Sequence, residues 1–218
     1  MRPLKFIGAN SLSLKMKEIL KKSKVIPVVV IKQLEDAVPL ATALVEGGLK
    51  VLEVTLRTEV AIDAIKLIKQ ALPDVLVGSG TVIDPTTLEL SIGAGVDFMV
   101  SPGSTRELLT AVSQSDIPLL PGATTPSEIM NLLDQGFDTM KFFPAEASGG
   151  AKMLKSIAGP LPQATFCPTG GINPSNAKAY LALNNVACIG GSWMLNKQLI
   201  ADKNWTEISR LSEQACQL

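Results

Sequence analysis

The sequence of 218 residues contains no histidine. Histidine is the side chain that most often moves protons near neutral pH and that most often binds zinc. Its absence excludes a Ser-His-Asp triad and a histidine-ligated zinc site. Proton transfer must therefore use Glu, Asp, Lys, Tyr or water. The sequence also has no compact carboxylate–cysteine cluster, so we expect no metal.

Cysteine is nearly as scarce, with Cys167, Cys188 and Cys216 the only three. Their number is odd and none forms a C-x-x-C pair, so the pattern does not predict a disulfide framework. Thiols of this kind are typical of a reducing cytoplasm. Cys167 and Cys188 lie in strand-like segments, where we interpret them as small apolar core residues.

Net charge is also missing, because 20 basic residues balance 20 acidic ones. A neutral chain has no general field that would attract nucleic acid or anionic lipid. No apolar stretch is long enough to span a membrane. The first ten residues are not followed by an apolar run of signal-peptide length. We therefore expect a cytoplasmic protein without nucleic-acid or membrane partners.

Short β-branched runs alternate along the chain with segments whose apolar residues recur at helical spacing. Hydrophobic residues make up 46% of the sequence, which is enough for a large core. Eight strands are predicted, at residues 25–31, 50–56, 75–80, 96–101, 117–122, 138–144, 164–171 and 186–192.

Repeated strand–helix units with apolar strands predict an α/β fold, a single (β/α)₈ TIM barrel over residues 1–218. Residues 13–24 are predicted to form an extra N-terminal helix, and residues 200–218 a final helix. An open doubly wound sheet is the alternative, although it would have fewer strands and a visible switch point.

Lys141 lies inside the apolar, strand-like run MKFFPAE. Lysine is rarely buried without a partner or a function, because burial disfavours its charged form. A neutral lysine is a nucleophile that forms a Schiff base with a carbonyl substrate. The alternative is that the Lys141 side chain extends from a strand end into solvent.

Other polar residues fall at predicted strand ends, where the active sites of parallel barrels lie. Alternation along the second strand places Glu53 and Thr55 inside the barrel mouth, with Arg57 in the following turn. Glu53 could instead form a structural ion pair with Arg57 or Lys141. Thr81 could instead cap a helix, although Asp84 fits that position better because a proline follows it.

The seventh and eighth strands end in the turns Gly170-Gly171 and Gly190-Gly191-Ser192. Adjacent glycines let backbone N–H groups approach an anion, and each turn is expected to precede a helix N-terminus. Barrels often hold a phosphate between these two loops. The sequence has neither a GxxxxGK[ST] loop nor a strand-following GxGxxG, so it does not indicate a nucleotide.

Six motifs taken together resemble one family, the 2-keto-3-deoxy-6-phosphogluconate (KDPG) and 4-hydroxy-2-oxoglutarate (KHG) aldolases. The resemblance covers roughly residues 25–195, and the motifs follow the family order. They are VLEVTLRTE (51–59), GSGTV (78–82), SPG (101–103), KFFPAE (141–146), CPTGGI (167–172) and IGGSW (189–193).

The resemblance implies a homotrimeric class I aldolase of sugar-acid breakdown, such as the Entner–Doudoroff route, which needs no cofactor. It implies that Lys141 forms the Schiff base and that Glu53 is the acid and base. The implied binding residues are Arg57 and Thr81 for the carboxylate, Pro102 and Phe143 for the pyruvyl group, and Gly170, Gly171, Gly191 and Ser192 for the phosphate.

Other functions remain open. An aldolase for the galactonate epimer would share the lysine and the glutamate. A metal-dependent class II aldolase conflicts with the missing histidines. A phosphosugar isomerase or epimerase would not need Lys141, and a non-catalytic phosphosugar-binding barrel would not need both Lys141 and Glu53.

Overall fold

A computed structural model describes residues 9–218, in which helices and strands alternate. The strands are β1 Val25–Val29, β2 Val51–Thr55, β3 Leu76–Gly80, β4 Phe98–Val100, β5 Leu119–Leu120, β6 Gly122–Ala123, β7 Thr139–Phe142, β8 Thr165–Pro168 and β9 Ile189–Gly191. The helices are α1 Ala9–Leu20, α2 Ala37–Glu46, α3 Ala61–Ala71, α4 Pro85–Gly93, α5 Arg106–Val112, α6 Pro126–Asp134, α7 Gly150–Ile157, α8 Ala177–Leu181, α9 Lys197–Ala201 and α10 Trp205–Cys216.

The strands form two parallel sheets, so the prediction of a single closed (β/α)₈ TIM barrel was wrong. Six strands pair in the order β5-β4-β3-β2-β1-β9, and three pair in the order β6-β7-β8. The repeated strand–helix units were predicted correctly, but the hydrogen-bonded ring is incomplete. The fold is a distorted, incomplete barrel.

Pro121 explains the first break in the ring. It divides the predicted fifth strand into β5 and β6, and it has no N–H to donate. Before it, the Ser101 N–H donates to the Leu120 carbonyl at 3.1 Å, which joins β5 to the six-stranded sheet. The Lys141 N–H donates to the Pro121 carbonyl at 2.9 Å, which joins the next residues to the three-stranded sheet. The segment therefore changes partner at the proline.

The second break lies between β8 and β9, where only isolated bridges join the strands. Phe166 pairs with Val186, and Thr169 pairs with Gly190. The second bridge is three residues further along one chain segment and four along the other, so one side carries an extra residue, as in a β-bulge. A continuous ladder cannot form across such a register change.

Two apolar clusters form the core. One lies between the strands and the surrounding helices, and it includes Leu52 and Val54. The other lies inside the ring of strands, where Met16 and Leu20 of α1 pack against the inward-facing apolar residues Ile26, Val51, Phe98, Val100, Leu120, Cys167 and Cys188. Helix α1 thus closes the amino-terminal end of the strands and leaves the carboxyl end for the polar residues.

The ends of three helical segments differ in how well the sequence predicted them. Asp84 caps α4 through a capping box with Thr87, as predicted. Helix α1 lies four residues earlier than the predicted helix 13–24. The predicted helix 200–218 is two helices, α9 and α10, interrupted near Lys203, whose φ is +53°. Within residues 9–218, no helix is long and apolar enough to cross a membrane.

Candidate active site

Lys141 and Glu53 face each other inside the barrel mouth. Lys141 lies on β7 and Glu53 on β2, 88 positions apart in sequence. The Lys141 Nζ lies 3.0 Å from Glu53 Oε1 and 3.4 Å from Oε2. The two residues are only 5% and 4% exposed. Lys141 therefore does not extend into solvent, and the structure brings the predicted nucleophile and acid–base group into contact.

A glycine on the neighbouring strand makes room for Glu53. In the β2–β3 register, Thr55 pairs with Gly80. A Cβ at position 80 would lie 2.3 Å from Glu53 Oε1. Any larger residue there would displace the carboxylate. Sequence reasoning missed this function of Gly80, although the glycine stands within the GSGTV motif.

The Lys141–Glu53 contact is also an ion pair, as the structural alternative for Glu53 predicted. A buried ion pair is weak evidence for stability, because desolvation can exceed the attraction. This pair lies at the carboxyl ends of the strands, where barrel active sites are found. The Phe143 ring lies close by, with its centroid 5.4 Å from Lys141 Nζ. The arrangement combines an amine, an adjacent proton acceptor and an apolar wall.

Arg57 and Thr81 lie beyond the strand ends on the same side of the barrel mouth. The Arg57 Nε donates to Thr55 Oγ1 at 3.2 Å, and that hydroxyl donates to the Val29 carbonyl at 3.0 Å. Among residues 9–218, no carboxylate forms an ion pair with Arg57. Arg57 is exposed, so its fork of donors is accessible to an anionic substrate group.

The backbone of Thr81, directly after β3, is strained. Its φ is +65°. A β-branched residue in the left-handed region is a true outlier, and such outliers cluster at functional sites. The strain supports a function for Thr81 beyond capping a helix, a position that Asp84 occupies.

Pro102 lies in the loop after β4, against the strand that precedes Lys141. A Cβ at Gly122 would lie 2.2 Å from the Pro102 carbonyl oxygen. The Gly122 N–H donates to Ser101 Oγ at 3.3 Å. Gly122 is also the register partner of Lys141. These contacts bring the Pro102 loop next to the lysine strand.

The two glycine turns are neighbours in space. Thr169 pairs with Gly190, so the Gly170-Gly171 turn and the Gly191-Ser192 turn follow adjacent positions. Gly170 and Gly171 have φ values of +104° and +78°, which favour glycine over other residues.

The glycine turns do not run directly into helices, which corrects the sequence expectation. Helix α8 begins at Ala177 and helix α9 at Lys197, several residues after each turn. Each of these helices has only five residues. An anion at the turns would therefore bind backbone N–H groups rather than helix N-termini.

Thr169 is a polar residue of the mouth that sequence reasoning missed. It is 6% exposed, and its Oγ1 has no hydrogen-bond partner among the described residues. Cys167 pairs with Lys141 across β7 and β8, so Thr169, two residues later, shares the inward face. Side-chain alternation along the predicted seventh strand could have identified this inward-facing threonine. A buried hydroxyl without a partner is costly and needs an explanation.

Two buried groups near the site have raised pKa values. The hydrogen bond with Cys167, followed by burial, raises the pKa of the Cys188 thiol well above its usual value. A thiol with a raised pKa is less reactive. Cys167 and Cys188 both lie in the inner apolar cluster, which confirms their interpretation as core residues. Burial, followed by the Glu146 carboxylate, raises the pKa of Tyr180.

The described residues contain no group of three or more His, Cys, Asp or Glu side chains that could hold a metal ion. Cys167, Cys188 and Cys216 are all unpaired.

Comparison with known proteins gives a consistent result over nearly the whole chain. The profile of an aldolase family, described as KDPG and KHG aldolase, matches residues 16–211. The KHG/KDPG aldolase of Escherichia coli (strain K12) is 51% identical over 197 residues, which cover 90% of this chain and 92% of that protein. The 2-dehydro-3-deoxy-phosphogluconate aldolase of Dickeya dadantii is 50% identical over 198 residues, covering 91% and 93%.

A solved structure extends the comparison to the fold. It is the KDPG aldolase of Legionella pneumophila, crystallised with pyruvate captured as a covalent carbinolamine intermediate. The two chains are 52% identical and superpose with a TM-score of 0.90, covering 92% of this chain and 97% of the other.

Proposed function

The chain belongs to the KDPG and KHG aldolase family, and we propose that Lys141 and Glu53 carry out the chemistry. The enzyme is a class I aldolase, a carbon–carbon lyase that cleaves KDPG to pyruvate and glyceraldehyde 3-phosphate. One observation carries the residue assignment. The buried Lys141 amine lies 3.0 Å from the Glu53 carboxylate at the end of the strands.

Imine formation comes first. Glu53 accepts a proton from Lys141, and the free amine attacks the C2 ketone of the substrate. The resulting carbinolamine loses its hydroxyl as water after protonation, for which Glu53 is the adjacent acid. The product is an iminium ion, which withdraws electrons from the neighbouring carbon–carbon bond.

The iminium ion then promotes cleavage of the C3–C4 bond. A base removes the proton of the C4 hydroxyl, the C3–C4 bond breaks, and its electron pair forms an enamine on the pyruvyl half. Glu53 serves as that base, through a water molecule. Glyceraldehyde 3-phosphate leaves, Glu53 returns a proton to C3, and water hydrolyses the imine to release pyruvate and the Lys141 amine.

The carboxylate end of the substrate binds Arg57 and Thr81. The exposed Arg57 guanidinium offers two parallel donors to a carboxylate, and the strained Thr81 backbone adds polar groups beside it. Pro102 and Phe143 enclose the pyruvyl carbons. The 5.4 Å separation between the Phe143 ring and Lys141 Nζ supports this placement.

The phosphate binds at Gly170, Gly171, Gly191 and Ser192. Within residues 9–218, the backbone N–H groups of Gly171 and Ser192 have no hydrogen-bond acceptor, so they are free to bind an anion. Binding free energy from this distant group can orient the scissile bond over Lys141. The unpartnered Thr169 hydroxyl shares the inward face of Lys141 and directly precedes the Gly170-Gly171 turn, so we assign it to the middle of the substrate.

The broader setting is also a proposal. The family suggests a role in sugar-acid breakdown such as the Entner–Doudoroff route, without a cofactor or metal. The family also suggests a homotrimer, and exposed large apolar side chains such as Ile83, Leu90 and Met130 are candidates for its interface. The unpaired cysteines support a cytoplasmic location.

KHG is the second substrate that we propose, because the Escherichia coli relative is named for both activities. The galactonate epimer of KDPG remains the alternative sugar. An isomerase, an epimerase or a non-catalytic binding protein would leave the buried Lys141–Glu53 contact without a function.

Product analysis tests the proposal. The enzyme is incubated with KDPG, KHG and the galactonate epimer in separate reactions, and pyruvate release is followed together with the aldehyde product. We expect stoichiometric pyruvate and glyceraldehyde 3-phosphate from KDPG, and no turnover by Lys141→Met. Retained turnover by that variant would refute the assignment of Lys141.

A further inference from the structure

Glu146 places a carboxylate beside the Gly170-Gly171 turn, where we propose that the phosphate binds. A carboxylate at an anion site needs a physical explanation. A negative charge there would repel a phosphate, so affinity for the anion does not explain it. The Tyr180 hydroxyl donates a hydrogen bond to Glu146 Oε1. Tyr180 is 1% exposed, whereas Glu146 lies at the surface. The pair thus links helix α8 to the segment that follows the lysine strand.

Glu146 also contacts the glycine turn directly. Its backbone N–H donates to the Gly170 carbonyl at 3.1 Å. A Cβ at Gly171 would lie 2.7 Å from the Glu146 Cγ and 2.8 Å from its Cβ. The Glu146 side chain therefore covers one side of Gly171 and fixes where the turn lies.

The remaining carbonyl of the turn is held from the other side. The Asn176 Nδ2 donates to the Gly171 carbonyl at 3.1 Å, and the Asn173 Nδ2 does so at 3.3 Å. With both carbonyls held in this way, the Gly170 and Gly171 N–H groups are left without an acceptor within residues 9–218.

We infer that Glu146 and Tyr180 are positioning residues that hold the Gly170-Gly171 turn with its N–H groups toward the substrate phosphate. The inference rests on the proposed phosphate site. Glu146 acts through the turn, and Tyr180 acts through Glu146; neither touches the reacting atoms. Preorganised donors bind an anion without first paying for the ordering of the loop.

Two activities separate positioning from a general loss of structure. Cleavage of KDPG depends on the phosphate, whereas exchange of the pyruvate methyl protons with solvent uses the pyruvyl end of the site and not the glycine turns. We expect Tyr180→Phe to lower kcat/KM for KDPG about tenfold, the size of one hydrogen bond to a charged group. Its rate of pyruvate exchange should stay within about twofold of wild type.

Exposed Glu146 supplies a second test that does not disturb the core. Glu146→Ala should raise KM for KDPG about tenfold. Glu146→Gln keeps an oxygen that accepts from Tyr180, so it should restore most of the affinity. Ser212→Ala is the matched control for loss of a buried hydroxyl, because Ser212 donates to the Ile208 carbonyl within α10, a helix that packs against α2. It should leave both activities unchanged.

These experiments distinguish failure of the positioning role from failure of the proposed phosphate site. Equal wild-type turnover of KDPG and its unphosphorylated analogue would overturn both proposals. A wild-type preference for KDPG that persists undiminished in Tyr180→Phe and Glu146→Ala would overturn only the positioning role. Equal loss of cleavage and of pyruvate exchange in Glu146→Ala would also overturn it, since a specific effect on the phosphate end would then be absent.

Discussion

At the residue scale, the site is defined by which buried polar groups have partners. Lys141 and Glu53 pair with each other, and burial makes the contact costly unless it serves chemistry. Thr169 has no partner at all among the described residues. A substrate that enters the barrel mouth can supply the missing hydrogen bond, so we expect the Thr169 hydroxyl to bind the substrate.

Glu53→Gln should impair proton transfer much more than binding. The amide still fits beside Gly80 but cannot accept the Lys141 proton. General acid–base catalysis is worth about 10² to 10⁴ in rate, so kcat for KDPG should fall by that order while KM changes little. Exchange of the pyruvate methyl protons, followed by NMR, should slow in parallel. Wild-type exchange in this variant would show that another group moves the protons.

Thr169→Val should separate binding from stability. Removing an unpartnered buried hydroxyl leaves the unfolding midpoint unchanged or raised, because no hydrogen bond within the protein is lost. If the hydroxyl binds the substrate, kcat/KM for KDPG should fall about tenfold. Thermal unfolding and steady-state kinetics on the same preparation measure the two effects separately. A less stable variant with unchanged kinetics would contradict the assignment.

Strand alternation is a local pattern, so the sequence could predict that Lys141 and Glu53 point into the barrel, where the structure brings them into contact. It missed Gly80 and Thr169, because their importance depends on what lies across the neighbouring strand. Only the three-dimensional structure shows that a Cβ at Gly80 would collide with Glu53. Alternation indicates the inward face of Thr169, but its missing hydrogen-bond partner is visible only in the structure.

At the element scale, the strand–helix order was predictable and the closure of the barrel was not. Periodicity located all eight strand regions. It could not show that the residues before Pro121 hydrogen-bond to one sheet and those after it to the other. It also could not show the register change between β8 and β9. Closure depends on hydrogen bonds between distant segments, which a single-sequence pattern does not contain.

Helix α1 is tied to the strand that carries Lys141. Ser13 and Lys17 of α1 both donate to the Asp138 carboxylate, one residue before β7. Burial works against that charge, yet the hydrogen bonds from Lys17 and Ser13 outweigh it and lower the pKa of Asp138. The contact holds helix α1 at the amino-terminal end of the barrel.

The depressed pKa of Asp138 predicts how this contact depends on pH. A carboxyl whose pKa is lower in the folded state stabilises the fold above its unfolded pKa, about 3.9, and loses this effect as pH falls through the folded value. Asp138→Asn should therefore be less stable than wild type near pH 7. The difference in free energy of unfolding should shrink below about pH 4. Denaturant titrations over this range would contradict the account if the difference were constant.

At the scale of the whole molecule, sequence and fold agree with one family over nearly the full chain. The match extends over residues 16–211, and the Legionella pneumophila enzyme aligns over 97% of its length. The single domain over residues 1–218 stays a prediction, since residues 1–8 lie outside the described part.

Activity should not depend on a metal ion. The mechanism assigns electron withdrawal to the iminium ion at Lys141, so a Lewis acid has no step to perform. Exhaustive treatment with a chelator, followed by a KDPG cleavage assay, should leave kcat and KM unchanged. A large loss that a divalent cation restores would favour a class II mechanism instead.

The covalent intermediate is the most direct test of the central claim. The enzyme is mixed with pyruvate, reduced with borohydride, digested and mapped by mass spectrometry. We predict one reduced pyruvyl group for each chain, located on Lys141, with loss of KDPG cleavage in proportion to labelling. Borohydride without pyruvate is the control and should leave activity intact. Labelling at another lysine, or full activity after reduction with pyruvate, would contradict the assignment of Lys141 as the Schiff-base residue.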